Sequence, residues 1–461
     1  MLQETIAELR AALPSGSVLT GAEIPARHGA DWSGLPAQPP SVLALPRSTE
    51  EVAAIMRICH ARRVPVTAQG GLTGLVGGAR PVEGGVALSL ERMRGIEEID
   101  TATGAATVLG GTPLEIVQQA ADEAGYFFAL DLGARGSCTI AGNISTNAGG
   151  NRVIRYGMAR ELVLGLEAVL PDGTIISALN KMLKNNTGFD LKHLFIGSEG
   201  TLGVITRAVL RLHPKPRSVS NALCGCADYA SVVKLLNEAK ASLGGTLSSF
   251  EVMWPGYYER MLERVSYLRR PMETRCGMYV LIEAAGSDVE ADQERFEAFL
   301  GRMLEAGIIL DAAVSRSEKE SRALWAIRDA VAEYSRIFNG FTSFDISFPI
   351  GIMGEVTDAI EKRLLESWPD AHVLPYGHIG DGNLHVVVNV PSSDPQPQHE
   401  IDQAIYAIVR FYGGAISAEH GIGLLKKEYL AYSRSPAEIA LMRTLKRALD
   451  PHNILNPGKV F

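Results

Sequence analysis

The sequence carries no excess of positive charge: among its 461 residues, 44 Lys and Arg stand against 52 Asp and Glu, for a formal net charge of -8. A chain of that sign has no general electrostatic pull toward DNA, RNA or an anionic membrane, so no nucleic-acid partner is expected. Cysteine is scarce. The five, Cys59, Cys138, Cys224, Cys226 and Cys276, are odd in number and scattered, and the one close pair is separated by a single residue, where a zinc or redox pair has two. Reduced thiols in a reducing compartment are expected. No uncharged apolar run approaches the roughly 20 residues of a membrane span, so no integral membrane segment is expected. The opening MLQETIAELRAALP is amphipathic and carries Glu4 and Glu8, unlike the basic, acid-poor start of a transit peptide or the apolar start of a secretion signal. The expected location is cytoplasmic.

What is present is enough apolar residue for a large core. The chain is 46% hydrophobic, globular in character, and long enough for two or three domains. From about residue 42 to 215, apolar runs alternate with helical patterns among many glycines. VPVTAQGG and VALSL read as strands, EEVAAIMRICHARR and PLEIVQQAADEAG as helices. The HPKP stretch from His213 to Pro216 interrupts backbone hydrogen bonding after a strand pattern and marks a boundary. Beyond it, the strand patterns YVLIEAA, FDISFPI and LHVVVNV mix with charged helices such as ADQERFEAFLGRMLEAG, as in a sheet covered by helices. The tail from Ile401 reads as mostly helical, broken at Pro451 and Pro457. The expected fold class is α+β, with domains at 1–215 and 216–410 and a helical C-terminal segment at 411–461.

Three glycine-rich stretches carry the first chemistry. QGGLTGLVGGARP, from Gln69 to Pro81, follows a strand pattern and places five glycines in its first ten residues. Without Cβ atoms, successive N–H groups can converge on an anion such as a pyrophosphate. No Gly-Lys-Ser/Thr follows, and the Gly-x-Gly-x-x-Gly spacing is absent, which weakens ATPase and ordinary NAD readings. GARGSCTIAGNISTNAGG, from Gly133 to Gly150, combines glycines with hydroxyl and amide side chains that can bond the edge of a flat heteroaromatic ring. NNTGFD at Asn185–Asp190, with FIGSEGTLGVI at Phe195–Ile205, repeats that chemistry before a strand. Three such loops suit one elongated ligand.

The second constellation holds imidazoles. YGHIGDGNLH places His378 and His385 seven residues apart on a glycine-bent loop, so they are not stacked helical ligands and the loop must fold back to unite them. Downstream, SAEHGIG offers Glu419 and His420 beside glycines. Two His and one Glu leave coordination positions open, as in a catalytic zinc-like site.

Taken together, these loops, in order and followed by the ending LDPHNILNPGK, resemble the FAD-linked D-2-hydroxy acid dehydrogenase family. That family is the D-2-hydroxyglutarate, D-lactate and glycolate dehydrogenase branch of the vanillyl-alcohol oxidase/PCMH-type superfamily. The resemblance spans about Pro46 to Phe461. It implies a PCMH-type FAD-binding domain, a ferredoxin-like α+β substrate domain, and a C-terminal segment that completes the FAD and metal site. A pyrophosphate held by Gly70 to Gly78 is implied, with Gln69, Gly70, Gly71, Thr73, Gly74, Leu75 and Gly77 as the loop's cofactor-binding residues. Flavin and ribityl contacts are implied for Gly136, Ser137, Gly142, Asn143, Thr146, Asn147, Gly149 and Gly150, with Gly203, Val204, Ile205 and Asn456 adding backbone and edge contacts. Some relatives tether FAD through a histidine in the first loop; Ala68-Gln69 stands here, so noncovalent FAD is expected.

By the same resemblance His378, His385 and Glu419 hold a divalent metal, with zinc expected and iron or manganese also compatible with a mixed N/O site. His420 is the implied base, Asn383 orients substrate or loop, and Arg328 of the WAIR segment anchors the substrate carboxylate through its planar fork. The implied reaction is metal-assisted hydride transfer from the Cα of a D-2-hydroxy acid to flavin N5. An electron-transfer flavoprotein or quinone is implied as the acceptor, and a homodimer as the assembly. The motif set is most similar to D-2-hydroxyglutarate dehydrogenase. Yet that type has a Thr four residues after the anchoring Arg, a Lys ahead of the next strand's Asp and an Asn two after the second metal His, where Ala332, Ser343 and Val387 stand here. The loss of a cation and two polar groups favours a D-lactate-like monocarboxylate. The alternatives are a D-2-hydroxyglutarate dehydrogenase with a rearranged distal carboxylate site and a glycolate oxidase FAD subunit.

Overall fold

The structure, a computed structural model, describes residues 2–461. The chain divides into two compact units: one is built from the chain up to Gly150, Gly157–Lys215 and Glu419–Phe461, the other from Asn151–Tyr156 and Pro216–Ala418.

In the first unit, the strands Val42–Ala44 and Val66–Gln69 both run parallel to Val86–Ser89. They are joined by the helix Thr49–Arg62, whose start is fixed by the Ser48 side chain accepting from the Glu51 amide and whose end is turned by Arg63 at φ 52°. Nearly every residue of these strands is buried, which is why they read as continuous apolar runs. A separate five-stranded antiparallel sheet takes the order Ile96–Asp100, Ala105–Leu109, Val204–Arg211, Val163–Val169, Ile175–Ala178. The chain's end returns to this unit. The Val66 amide donates to the Ile454 carbonyl, and the Asn456 amide to the Val66 carbonyl, each at 2.7 Å. The buried Lys446 ammonium bonds the Thr201 and Leu455 carbonyls and Asp450.

In the second unit, the strands Ser218–Cys226, Leu247–Met253, Met278–Gly286 and Asp311–Val314 lie in the spatial order fourth, first, third, second. The crossover helices are Tyr229–Leu243 and Val289–Glu305. This is the split βαβ arrangement of a ferredoxin-like sheet. Three more strands, His372–Gly377, Asn383–Asn389 and Thr342–Ser347, extend it to seven. Val252 and Met253 pair with Gly377 and Tyr376, so one sheet carries both halves of the unit.

The expected helical tail is only partly helical. Helices occupy Gln398–Phe411 and Pro436–Leu449, but the stretch between Phe411 and Lys427 has no helix. Gly413, Gly421 and Gly423 there adopt positive φ, which ends helical propagation. All five cysteines are free, and four are buried. No helix among the described residues is long and apolar enough to cross a membrane.

Candidate active site

In the first unit the glycine-rich loops meet one another. A Cβ on Gly70 would lie 2.5 Å from Thr139 Oγ1, and one on Gly71 only 2.0 Å from the Ser137 carbonyl oxygen. These glycines permit close approach of two loops, and Leu72 beside them sits at φ 60°, a left-handed residue of the type that lets neighbouring amides turn toward one anion. At the loop's far end, Gly77 takes φ 78° against Leu35. Gln69 is fixed beneath the loop: its amide nitrogen donates to the His28 and Ala79 carbonyls, and its Oε1 faces His28 Nδ1 at 2.8 Å.

The other stretches converge on the same region. The partly buried Glu199 carboxylate accepts the Ile422 and Gly423 amides at 2.7 and 2.8 Å. Burial pushes its pKa up against the pull of those amides. Asn456 accepts the Ala68 amide and donates to the Glu199 carbonyl, so most of its side chain is committed to the protein. Thr146 and Asn147 also bond within the fold, to Gly142 and Arg160. Gly136 and Ser137 are exposed, Asn143 is buried, and Val204 and Ile205 begin a buried strand. The segment Asn185–Asp190 is exposed, with Phe189 at 93%; it does not join the other loops, because its one glycine serves a turn at φ 80° and no close packing.

Two residues in this region were not legible in the sequence. Thr139 Oγ1 is buried without a hydrogen-bond partner beside Gly70, the type of polar atom a bound cofactor satisfies. Lys459 is 2% exposed and donates to the Gly78 carbonyl at 2.6 Å. Burial lowers its pKa from 10.5 to about 7. In the unfolded chain it keeps its proton up to about 10.5, so between those two values the unfolded state binds more protons and stability rises with pH. The flavin-free protein is therefore expected to gain on the order of 3 kcal/mol from pH 7 to 10. Lys459→Met should flatten that rise in denaturant titrations.

In the second unit the two histidines come together through a hairpin. Tyr376 pairs with His385 across the strands, His378 follows the first strand, and Gly382 at φ 91° turns the chain back. Gly377 has no room for a Cβ, which would lie 2.4 Å from the Asn383 carbonyl. The rings of His378 and His385 stand 5.2 Å apart, edge to face.

Arg328 ends the helix Glu318–Arg328, yet it is 5% exposed. It donates through Nε to Glu251 Oε2 at 2.7 Å and lies over the Tyr376 ring at 4.8 Å. Tyr257 holds the end of that helix by donating to the Ile327 and Arg328 carbonyls. Glu251 is fully buried, and its other oxygen bonds His378 Nδ1 at 2.7 Å. Burial alone would raise the Glu251 pKa, but His378 and Arg328 reverse that and leave it below its ordinary value.

Asp345, also fully buried, pairs in register with His385. It accepts Asn383 Nδ2 at 2.7 Å, the Ala418 amide at 3.1 Å and the Ser417 hydroxyl at 3.3 Å. With its nitrogen so committed, Asn383 keeps Oδ1 buried without a partner. Glu419 and His420 follow Ala418 directly in the chain, so Asp345 fixes the point from which they start. Asp345→Ala removes the carboxylate that these three donors share and is expected to cost about 3 kcal/mol or more, read as a lower urea midpoint at unchanged slope.

Fold comparisons give the class. The chain matches a p-cresol methylhydroxylase solved with substrate bound (TM-score 0.75, 18% identity, 99% of this chain and 96% of the other). It also matches a 4-ethylphenol oxidase from Gulosibacter chungangensis (TM-score 0.77, 18% identity, 99% and 96%). The fold is thus the PCMH-type FAD-binding fold of α+β flavoproteins.

Sequence comparisons give the family. Residues 40–178 match "FAD binding domain" and residues 215–460 match "FAD linked oxidases, C-terminal domain". Relatives named D-2-hydroxyglutarate dehydrogenase include those of Arabidopsis thaliana (40% identical; 94% of this chain, 77% of the relative), Bos taurus (39%; 100% and 84%) and Xanthomonas citri pv. viticola (38%; 100% and 98%). The chain belongs to the FAD-linked D-2-hydroxy acid dehydrogenase family, and it oxidises a D-2-hydroxy acid with FAD as cofactor. The Arabidopsis and bovine relatives are named as mitochondrial, which corrects the cytoplasmic expectation. The acidic opening on which that expectation rested is a structural helix, Leu2–Ala12, with Ile6 and Leu9 buried and Glu4 and Glu8 paired to Arg62. Its charges serve the fold.

Proposed function

We propose that the first unit holds FAD without a covalent bond, and that His378, His385 and Glu419 hold a divalent cation, zinc suiting the N/O donor set. Arg328, Asn383 and His420 then bind and deprotonate the substrate. The observation that carries this reading is the pairing of two imidazoles 5.2 Å apart with a buried arginine whose Nε alone is spent on Glu251. The donor set fits a cation, and the left-handed turn at Leu72 with the orphaned Thr139 hydroxyl fits FAD. Gln69, bonded on both ends of its amide, offers no nucleophile for a tether.

When bound, FAD supplies a two-electron acceptor and the cation a Lewis acid that lowers the pKa of the substrate hydroxyl. Arg328 presents its two terminal nitrogens to the substrate carboxylate, and Asn383 orients the substrate beside it. An imidazole nitrogen of His420 takes the hydroxyl proton as the Cα hydrogen departs with its electron pair, which leaves the 2-oxo acid. An electron-transfer flavoprotein or quinone takes the two electrons onward, and the enzyme works as a homodimer.

The substrate side chain is proposed to be short and uncharged, as in D-lactate. Val387 is buried in a cluster with Tyr257, Tyr334 and Tyr376, and Ser343, its partner in register, is uncharged. A distal carboxylate left without a cation costs several kcal/mol. Steady-state kcat/KM is expected to favour D-lactate over D-2-hydroxyglutarate by about 100-fold. The names of the relatives favour a second reading, D-2-hydroxyglutarate itself, and a preference for the dicarboxylate would establish that one instead.

A further inference from the structure

The strand Leu247–Met253 is buried along its whole length, yet it carries one acid, Glu251. A fully buried carboxylate is expensive unless each oxygen is matched, and here the two oxygens go to two different side chains of the proposed site. Oε1 lies 2.7 Å from His378 Nδ1 and Oε2 lies 2.7 Å from Arg328 Nε. A carboxylate only accepts, so the first contact puts the His378 Nδ1 proton toward Glu251 and sets Nε2 on the ring's other side. Arg328 Nη2 stands 3.5 Å from that Nε2, too far for a strong hydrogen bond but close enough to repel a cation placed there.

We propose that Glu251 is a positioning residue that serves both binding groups at once: it orients His378 Nε2 toward the metal and holds Arg328 to receive the substrate carboxylate. This inference rests on the site reading given above. Charge supports it as well as geometry. The Glu251 and Arg328 charges cancel, so the cation meets no net positive charge from the arginine beside it, and its own two charges are matched by Glu419 and the substrate carboxylate. Without the Glu251 charge, the arginine opposes the metal that the histidines bind. A carboxylate behind a metal-binding imidazole also raises the ligand's basicity, and loss of such partners typically weakens metal binding 10- to 100-fold.

The test uses the FAD-loaded enzyme and Zn2+ as the probe. Glu251→Gln keeps the shape but offers one acceptor and one donor, so it can satisfy only one of its two partners. Zn2+ affinity is measured by equilibrium dialysis against a competing chelator, and D-lactate kinetics alongside, with flavin absorbance and thermal midpoint recorded as controls of folding. Glu251→Gln is expected to weaken Zn2+ binding 10- to 100-fold and to raise KM by about tenfold while the flavin stays bound. Glu251→Asp, which keeps the charge at shorter reach, should recover part of both losses, and it carries the test should the Gln variant fail to fold. A wild type that binds Zn2+ alongside variants of unchanged affinity and KM overturns the role of Glu251. A wild type that binds no Zn2+ overturns the site reading itself, and the inference with it.

Discussion

His385→Ala is expected to lower kcat/KM for D-2-hydroxy acids by about 1,000-fold or more, because a Lewis acid at the reacting alcohol is worth several kcal/mol and each 1.36 kcal/mol is a factor of ten. The Glu251–Arg328 and Glu251–His378 bonds do not involve His385, whose ring lies 5.2 Å from that of His378 and 5.1 Å from that of Tyr376. Flavin content should therefore stay at the wild-type level while bound metal disappears. A variant that loses metal and keeps its turnover would separate the cation from the chemistry, and one that loses flavin as well would mean that the substitution has disturbed the fold.

Gly71→Val is expected to give a colourless protein. A Cβ at this position meets the Ser137 carbonyl oxygen at 2.0 Å, the Ser137 carbonyl carbon at 2.8 Å and Cys138 Cα at 2.9 Å. All three are backbone atoms that cannot rotate away, so the first two loops must part. Overpacking of this kind costs about 1–3 kcal/mol and occasionally more, and it falls on the amides proposed to face the diphosphate, which corresponds to FAD binding weakened about 100-fold. Gly133→Ala is the matched control, because a Cβ there meets nothing within 4 Å. Acid precipitation of the wild type should release all of its flavin to the supernatant, as a noncovalent cofactor requires.

Much of the architecture could be read in advance because its signals are local. The buried parallel strands announce themselves as apolar runs, the Ser48 cap and the paired acids behind it start a helix, and the HPKP stretch follows the last strand of the first unit's large sheet. The glycine loops were equally visible, but the reason for individual glycines was not. Gly70 and Gly71 are small because Ser137 and Thr139, more than sixty residues away in sequence, approach them, and no local pattern encodes that distance. The same limit explains Asn185–Asp190, whose composition matches the other loops while its side chains lie exposed.

The imidazole site shows the contrast within a few residues. A spacing of seven between His378 and His385 rules out a helical pair, and the glycines around them suggest the fold-back that the hairpin then makes. Arg328, expected as the carboxylate anchor by resemblance and not from its charged helix, is buried, because it is the last residue of that helix and turns inward to Glu251. Glu251 and Asp345 were not singled out, although each left a trace: one carboxylate inside a strand with no other charged residue, in SSFEVM and in SFDISF. A lone acid in such a run signals a buried partner without naming it. The partners come from other strands and helices, and only the sheet order supplies them.

The central claim is that this chain's two histidines and Glu419 present a cation to the alcohol that bound FAD oxidises. Anaerobic titration of the purified, FAD-loaded enzyme with D-lactate and a panel of D- and L-2-hydroxy acids, before and after chelator treatment, tests it most directly. Bleaching of the flavin band by D-acids alone, abolished by the chelator and restored by Zn2+, is the predicted result. Undiminished bleaching by the D-acids after the metal has been removed would contradict it.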